Sequence, residues 1–149
     1  MSRNLDILKH ILTYCKAIKG DIKTFGDSKT LFFENAIYQR SVSFSLLQIG
    51  ELSGRLTDCY IKLTENEMNW KAMKGLSNLI VHDYGNINLE IIWDTITKDI
   101  PLLQEFCKLK IEEADSILRE AKKYSDCDEF IEEDEGERSS TPLNKVDLS

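Results

Sequence analysis

Apolar residues recur at three- and four-residue steps along most of this chain, and that spacing is typical of amphipathic α-helices. The first helical segment covers roughly residues 3–25 and is broken by Gly26-Asp27-Ser28. The second runs from about residue 30 to residue 57. Gly50 and Gly54 lie inside it, where each glycine costs about 1 kcal/mol relative to alanine. We therefore expect both glycines to permit the close approach of a neighbouring helix.

Two more helices follow in the pattern. Thr64-Glu65-Asn66-Glu67 has the form of a capping box, which predicts a third helix that starts there and ends near Tyr84-Gly85. Asn88 is expected to cap a fourth helix, from Leu89 to about Tyr124, which Pro101 kinks or restarts. No segment shows sustained strand alternation. The pattern predicts an all-α protein, an antiparallel four-helix bundle whose last helix is kinked near Pro101.

The negative charge of the protein is concentrated at its C-terminal end. The whole chain has 19 basic and 26 acidic residues and a formal net charge of -7. Residues 125–149 contain nine of the acids and two of the basic residues, so residues 1–124 are neutral. We predict a helical domain over 1–124 and an acidic, disordered tail over 125–149. The neutral body excludes a broadly basic nucleic-acid-binding surface and leaves room for a local basic site.

Membrane and metal-binding signals are absent from the sequence. No apolar run approaches the roughly 18 residues of a membrane span, and Asp6 and Lys9 interrupt the apolar positions near the N-terminus. This predicts a soluble, cytoplasmic protein that has no contact with a membrane. The cysteines are too far apart for a zinc site, so we predict reduced, mostly buried thiols and no metal or other cofactor. They are Cys15, Cys59, Cys107 and Cys127.

One polar stripe interrupts the apolar third helix. Lys74, Asn78 and His82 follow at four-residue steps, which places them on one helix face, and Tyr84 stands just beyond. An imidazole, an ammonium and an amide in a row can transfer protons and bind phosphate. A solvated helix face, or a histidine that interacts with a helix C-terminus, gives the same pattern. Spacing alone leaves these alternatives open.

The segment from Trp70 to Gly85, with the sequence WKAMKGLSNLIVHDYG, resembles the signature helix of the HepT-like family. These proteins are small members of the HEPN superfamily, named for its occurrence in higher eukaryotes and prokaryotes and for nucleotide binding. Three other stretches agree in order: Tyr38-Gln39-Arg40, the segment 47–52, and the segment 89–94 that leads to Asp99-Ile100-Pro101. The resemblance covers roughly residues 4–110.

This resemblance implies the toxin half of a type VII toxin–antitoxin pair, a homodimer with an all-α bundle fold. It implies a metal-independent RNase that acts on RNA, with an MntA-like minimal nucleotidyltransferase as partner antitoxin. The family motif is Arg, four intervening residues, His, any residue and Tyr. Its histidine, which handles proton transfer at the ribose 2′-hydroxyl, matches His82. Its tyrosine, where the partner attaches AMP, matches Tyr84.

The chain departs from this motif at the arginine, because Ser77 stands five residues before His82. A neutral hydroxyl does not replace a guanidinium that grips phosphate through two hydrogen bonds. Lys74 is the candidate substitute, because it shares the His82 face and carries a mobile positive charge. Two functions therefore follow: an RNase toxin that uses His82, Lys74 and Asn78, or a catalytically weak dimer that binds the nucleotidyltransferase and is its substrate. A helical subunit with no link to nucleotides is the third alternative.

Overall fold

The computed structural model describes residues 2–82 and 88–134, with only the backbone for residues 2, 81, 82 and 124–134. Over these residues the structure consists of helices joined by short turns and contains no strand, which confirms the predicted all-α bundle class. The α-helices are α1 (Ser2–Phe25), α2 (Lys29–Glu34), α3 (Ala36–Ser53), α4 (Asp58–Leu63), α5 (Trp70–His82), α6 (Leu89–Asp94) and α7 (Ile100–Asp134). A π-helical segment, Thr95–Asp99, joins α6 to α7.

Helix α3 lies at the centre of the bundle and packs against both α1 and α5. The predicted first helix is confirmed as α1. It ends because Gly26 adopts a φ of 116°, a left-handed conformation that glycine tolerates, and its N–H donates to the carbonyl of Ile22. Apolar side chains from several helices form one core, and those with no exposed surface include Ile11, Cys15, Ile18, Phe32, Tyr38, Val42, Leu46, Ile49, Ile92, Leu103 and Cys107.

The prediction of one helix from about residue 30 to residue 57 is wrong at Asn35. This residue is extended, with φ -120° and ψ 104°, and it ends α2 and begins α3. Its side-chain oxygen accepts hydrogen bonds from the backbone nitrogens of Ile37 at 3.0 Å and Tyr38 at 3.1 Å. Asparagine competes for backbone donors in this way, so it favours a helix N-cap over a helix interior.

The predicted capping box at Thr64 is also wrong. Thr64 follows the last residue of α4, and its buried hydroxyl donates to the carbonyl of Tyr60 at 2.8 Å. The same oxygen accepts a hydrogen bond from the indole of Trp70 at 2.8 Å. Helix α5 begins only at Trp70, where the Asn69 side chain accepts from the backbone nitrogen of Ala72 at 3.1 Å. The Thr64–Glu67 pattern therefore lies at the end of α4 and not at the start of α5.

The predicted close approach of two helices occurs at Gly50 and not at Gly54. A Cβ added to Gly50 would lie 2.5 Å from the backbone nitrogen of Ser77 in α5 and 3.2 Å from its Cα. Gly54 is the exposed C-cap of α3, and a Cβ there would meet only carbonyls of its own helix, the nearest at 3.4 Å. The expectation for Gly54 is therefore wrong, whereas Gly50 sets the spacing between α3 and α5.

Replacing Gly50 by alanine should lower the free energy of unfolding by about 1–3 kcal/mol, because the new methyl group meets rigid backbone. The matched control is Gly20→Ala in α1, where an added Cβ meets nothing within 4 Å. That change should raise the free energy of unfolding by about 0.5–1 kcal/mol through helix propensity. Thermal unfolding measures both, at roughly 2–4 °C per kcal/mol. Equal midpoints for the two variants would contradict the close contact at Gly50.

The last helix is interrupted where Pro101 predicts it. Asn88 caps α6, with its side-chain oxygen accepting from the backbone nitrogen of Ile91 at 3.2 Å. The π-helical segment comes just before Pro101, which has no N–H and cannot complete a regular α-helical turn. Helix α7 then runs past the predicted end near Tyr124 to Asp134, since no proline or glycine occurs between Pro101 and Gly136.

The chain divides at Glu112 into two compact units, Met1–Glu112 and Glu113–Ser149. The domain of residues 1–124 with its disordered tail stays a prediction, and residues 135–149 of that tail lie outside the described residues.

Of the cysteines predicted to be reduced and mostly buried, Cys15 and Cys107 are buried free thiols, and Cys59 is an exposed free thiol. The side chain of Cys127 lies outside the described residues. Burial raises the pKa of the Cys15 thiol to about 12 and also raises the pKa of Cys107. These two thiols therefore stay protonated and are poor nucleophiles at neutral pH.

Candidate functional site

Helix α5 carries the predicted functional residues and is anchored at its N-terminal end. Trp70 is buried, donates its indole N–H to Thr64, and packs edge-on against the ring of Phe106 with centroids 5.5 Å apart. Met73 and Leu76 are also buried in the core. These contacts fix which face of α5 points inward, and so they fix which face remains for chemistry.

The polar stripe lies on one uninterrupted helix. Lys74 and Asn78 are exposed, and His82 is the last residue of α5. The four-residue steps place the three positions on one face, about 6 Å apart along the helix axis at each step. The imidazole of His82 lies outside the described side chains, and Tyr84 lies outside the described residues. The structure therefore supports a shared face for the backbone positions of the stripe.

Ser77 occupies the helix–helix contact and not the open face. It is half-buried, its backbone lies against Gly50 of α3, and its hydroxyl donates to the carbonyl of Lys74 at 3.1 Å. The side chain at the motif position is thus bonded to its own helix. It offers neither charge nor a free donor to a phosphate.

Helix α6, the next described element after His82, is held by contacts that no sequence pattern indicates. Lys29 of α2 forms an ion pair with Glu90 of α6, and the hydrogen bond to that carboxylate raises the pKa of Lys29. Trp93 packs against the ring of Phe32 with centroids 5.5 Å apart. Both contacts join residues about sixty positions apart, which no local pattern indicates. They fix the start of α6, a few residues beyond His82.

A groove of about 540 Å³ lies beside the contact between α3 and α5. Its lining is mostly apolar with one cation, Arg40, and consists of Gln39, Arg40, Ser43, Phe44, Leu47, Ile80 and Leu89. Phe44 is 56% exposed, and Ile37, one turn before Arg40, is 61% exposed. Exposed apolar residues concentrated along one helix mark an interaction surface more often than scattered ones do.

Neither a metal cluster nor a membrane span is found in the described part of the chain. Among the side chains of residues 3–80 and 88–123, no three histidine, cysteine or acidic groups gather in a way that would hold a metal ion. None of the helices in these ranges has the length and apolar character needed to cross a membrane.

The all-α bundle is the fold expected of the HEPN-like class. The family model described as "Ribonuclease HepT-like" matches residues 11–109, and the chain belongs to the HepT-like family.

Several relatives of this chain carry ribonuclease names. "Putative RNase TTE0752" of Caldanaerobacter subterraneus is 32% identical over 101 residues, which cover 68% of this chain and 88% of that protein. "Putative RNase MJ0127" of Methanocaldococcus jannaschii is 34% identical over 83 residues, or 54% of this chain and 68% of that protein. "Probable ribonuclease HepT" of Thermococcus cleftensis is 25% identical over 88 residues, or 56% and 79%. No solved structure matches the chain.

Proposed function

We propose that this chain is the RNA-cleaving toxin component of a type VII toxin–antitoxin system and that His82 carries its chemistry without a metal ion. The observation that carries the proposal is the match of residues 11–109 to the HepT-like ribonuclease family. His82 ends the helix that bears the family motif, and exposed Asn78 and Lys74 precede it by one and two turns. The test is RNA cleavage by the full chain compared with a His82→Ala variant.

The proposed reaction is a transesterification within the RNA. The His82 imidazole takes the proton of the ribose 2′-hydroxyl, and the 2′-oxygen attacks the neighbouring phosphorus. The bond from phosphorus to the 5′-oxygen breaks, and that oxygen takes a proton from solvent, to which the His82 imidazolium later releases its own. The amide of Asn78 and the ammonium of Lys74 are donors for the phosphate oxygens. The products are a 2′,3′-cyclic phosphate and a 5′-hydroxyl.

We propose that two copies pair through the α3 face that carries Ile37, Phe44 and the groove. The exposure of Ile37 and Phe44 supports this face, because their burial against a second copy removes apolar surface from water. Sedimentation of the full chain tests it. A dimeric mass is expected for the wild-type chain and a shift towards the monomer for Phe44→Ser. A monomeric mass for the wild-type chain at all concentrations would contradict the pairing.

The partner proposed from the family resemblance is an MntA-like nucleotidyltransferase that silences the toxin at Tyr84. The tyrosine oxygen attacks the α-phosphorus of ATP, pyrophosphate leaves, and the phenol proton goes to solvent. The AMP group adds bulk and negative charge two residues from His82, where an RNA phosphate is to bind.

Incubation with the cognate nucleotidyltransferase and ATP should add AMP to Tyr84 and stop RNA cleavage. Mass spectrometry of the peptide that contains Tyr84 measures the modification. Tyr84→Phe is the matched control, since it keeps the ring and lacks the acceptor oxygen. An unmodified Tyr84 in the wild-type chain would contradict the proposed partner and favour a helical subunit with no nucleotide link.

A second candidate function is a catalytically weak or inactive dimer whose role is to bind the nucleotidyltransferase. The contact of Ser77 with Gly50 favours it, because the motif position is packed and uncharged. Lys74 lies eight residues from His82, about 12 Å along the helix axis, whereas position 77 lies only about 7.5 Å away. Position 77 lies about 140° around the helix from His82, so a cation there reaches a phosphate beside His82 only through a long side chain such as arginine.

A further inference from the structure

A second cleft gathers cationic side chains that the proposed RNA-cleaving site does not use. It has a volume of about 430 Å³ and is lined by Arg3, Asp6, Ile7, His10, Leu52 and Arg55. Leu52 lies about 200° around α3 from Gly50, so this cleft is on the α1 side of α3 and not on the α5 side.

Helix α1, the end of α3 and the turn after α3, which carries Arg55, supply the walls of the cleft. Arg3, Asp6, Ile7 and His10 follow at helical spacing and therefore share one face of α1. Ile7 is 9% exposed, and Leu52 of α3 is 8% exposed, so apolar groups of the core form its floor. Polar and charged tips around an apolar floor are the usual composition of a small-ligand site.

Reciprocal hydrogen bonds hold the two sides of the cleft at a fixed distance. The side-chain amide of buried Asn4 donates to the hydroxyl of Thr57 at 3.0 Å, and the backbone nitrogen of Thr57 donates to the Asn4 oxygen at 3.1 Å. Asn4 adjoins Arg3, and Thr57 is two residues after Arg55. The two arginines therefore extend from backbone that is already ordered, which lowers the entropic cost of binding.

The two arginines of the cleft have no ion-pair partner among the described side chains. Arg3 and Arg55 are exposed, and neither forms an ion pair with a side chain of residues 3–80 or 88–123. Asp6 is the single acid in the lining, so two guanidinium groups and His10 face one carboxylate. Guanidinium groups match the oxygens of a phosphate through paired, charge-assisted hydrogen bonds.

We propose that this cleft binds a phosphate group, with Arg3 and Arg55 as its principal donors and His10 as a third. The phosphate belongs either to an RNA backbone or to a free phosphate or nucleotide, and the same donors serve both. The site requires neither His82 nor RNA cleavage, so it stands apart from the proposed function. If RNA is the source, the cleft holds a strand on the opposite side of α3 from α5.

Binding by the full chain tests the proposal with two probes. The first is a fluorescent single-stranded 2′-O-methyl RNA of about eight nucleotides, whose blocked 2′-oxygens prevent cleavage by the proposed route. The second is inorganic phosphate, followed by amide resonances of the full chain at constant ionic strength with chloride as reference. Arg3→Gln with Arg55→Gln should weaken RNA binding at least about tenfold. It should also reduce the slope of log K for RNA binding against log salt concentration by about 0.7 in magnitude, for one lost phosphate contact.

Two further variants separate this site from general charge effects and from misfolding. Lys16→Gln with Lys23→Gln removes the same net charge from exposed positions of α1, about 20 Å or more along the helix from Arg3. Its effect should be about twofold or less, since salt screens charges at that distance. Asp6→Asn removes the opposing carboxylate and should tighten binding several-fold, which a misfolded protein would not do.

A loss confined to the RNA assay identifies the RNA backbone as the source, and a loss confined to inorganic phosphate identifies a free phosphate. Losses with both probes support a general phosphate site. If the arginine variant matches the lysine variant with both probes, or if Asp6→Asn weakens binding, the proposal is overturned.

Discussion

Replacing His82 by alanine should lower RNA cleavage by about 10²–10⁴-fold, which is the usual contribution of a positioned general acid or base. His82 is the single histidine on the motif helix, and the amide of Asn78 on the same face does not exchange a proton as an acid or base. The measurement is the initial rate of cleavage by the purified full chain. Growth arrest on expression should disappear together with cleavage.

The control is Lys23→Ala, which truncates an exposed side chain in the last turn of α1. It should leave cleavage and thermal stability unchanged. Equal cleavage and equal growth arrest by the wild-type chain and His82→Ala would remove His82 from the mechanism, provided that both proteins unfold at the same temperature.

Restoring the motif arginine with Ser77→Arg should raise cleavage by about 10²–10³-fold, the range lost when a transition-state donor is removed. Ser77 already has a Cβ at the contact with α3, and Gly50 leaves room for the backbone there. The longer stem can run along the helix surface and carry its guanidinium to solvent. Position 77 lies about 7.5 Å from His82 along the axis, within reach of an arginine.

Ser77→Lys is the matched control for charge without the paired donors of a guanidinium. It should raise cleavage less than Ser77→Arg does. Adding His82→Ala to Ser77→Arg should abolish the gain, since the arginine binds phosphate but transfers no proton. A wild-type rate equal to that of Ser77→Arg would rule out the weak-dimer function and leave Lys74 as the phosphate-binding cation.

The parts of the fold that follow from local sequence were predictable. Helix α1, its stop at Gly26 and the cap at Asn88 each depend on residues within one or two turns. Asn35 was placed inside a helix but caps the start of α3, and Thr64 was expected to start a helix but closes the end of α4. Short polar side chains can make either kind of hydrogen bond to the backbone. Neighbouring sequence does not decide between these uses, whereas tertiary packing does.

Contacts between residues far apart in the sequence could not be predicted from local sequence patterns. Two glycines four residues apart looked equivalent, but only Gly50 meets a neighbouring helix. The ion pair of Lys29 with Glu90 and the cleft shared by Arg3 and Arg55 join positions more than fifty residues apart. Periodicity assigns a residue to a face of its own helix and does not say which helix lies opposite.

Part of the candidate site could likewise be predicted from residue spacing, and part could not. Spacing alone placed Lys74, Asn78 and His82 on one face, and the continuous helix α5 agrees. The roles of His82 and Tyr84 came from the family motif, because one histidine on a polar face has no specific chemistry by itself. The meaning of Ser77 needed the structure, since only its contact with Gly50 shows that this position is packed.

The most direct test of the central claim is the chemistry of the RNA ends produced by the purified wild-type chain in the presence of EDTA. Attack by a 2′-oxygen that His82 deprotonates predicts fragments with 2′,3′-cyclic phosphate and 5′-hydroxyl ends, with no requirement for a divalent metal. Fragments with 5′-phosphate ends, or cleavage that stops in EDTA, would contradict the account.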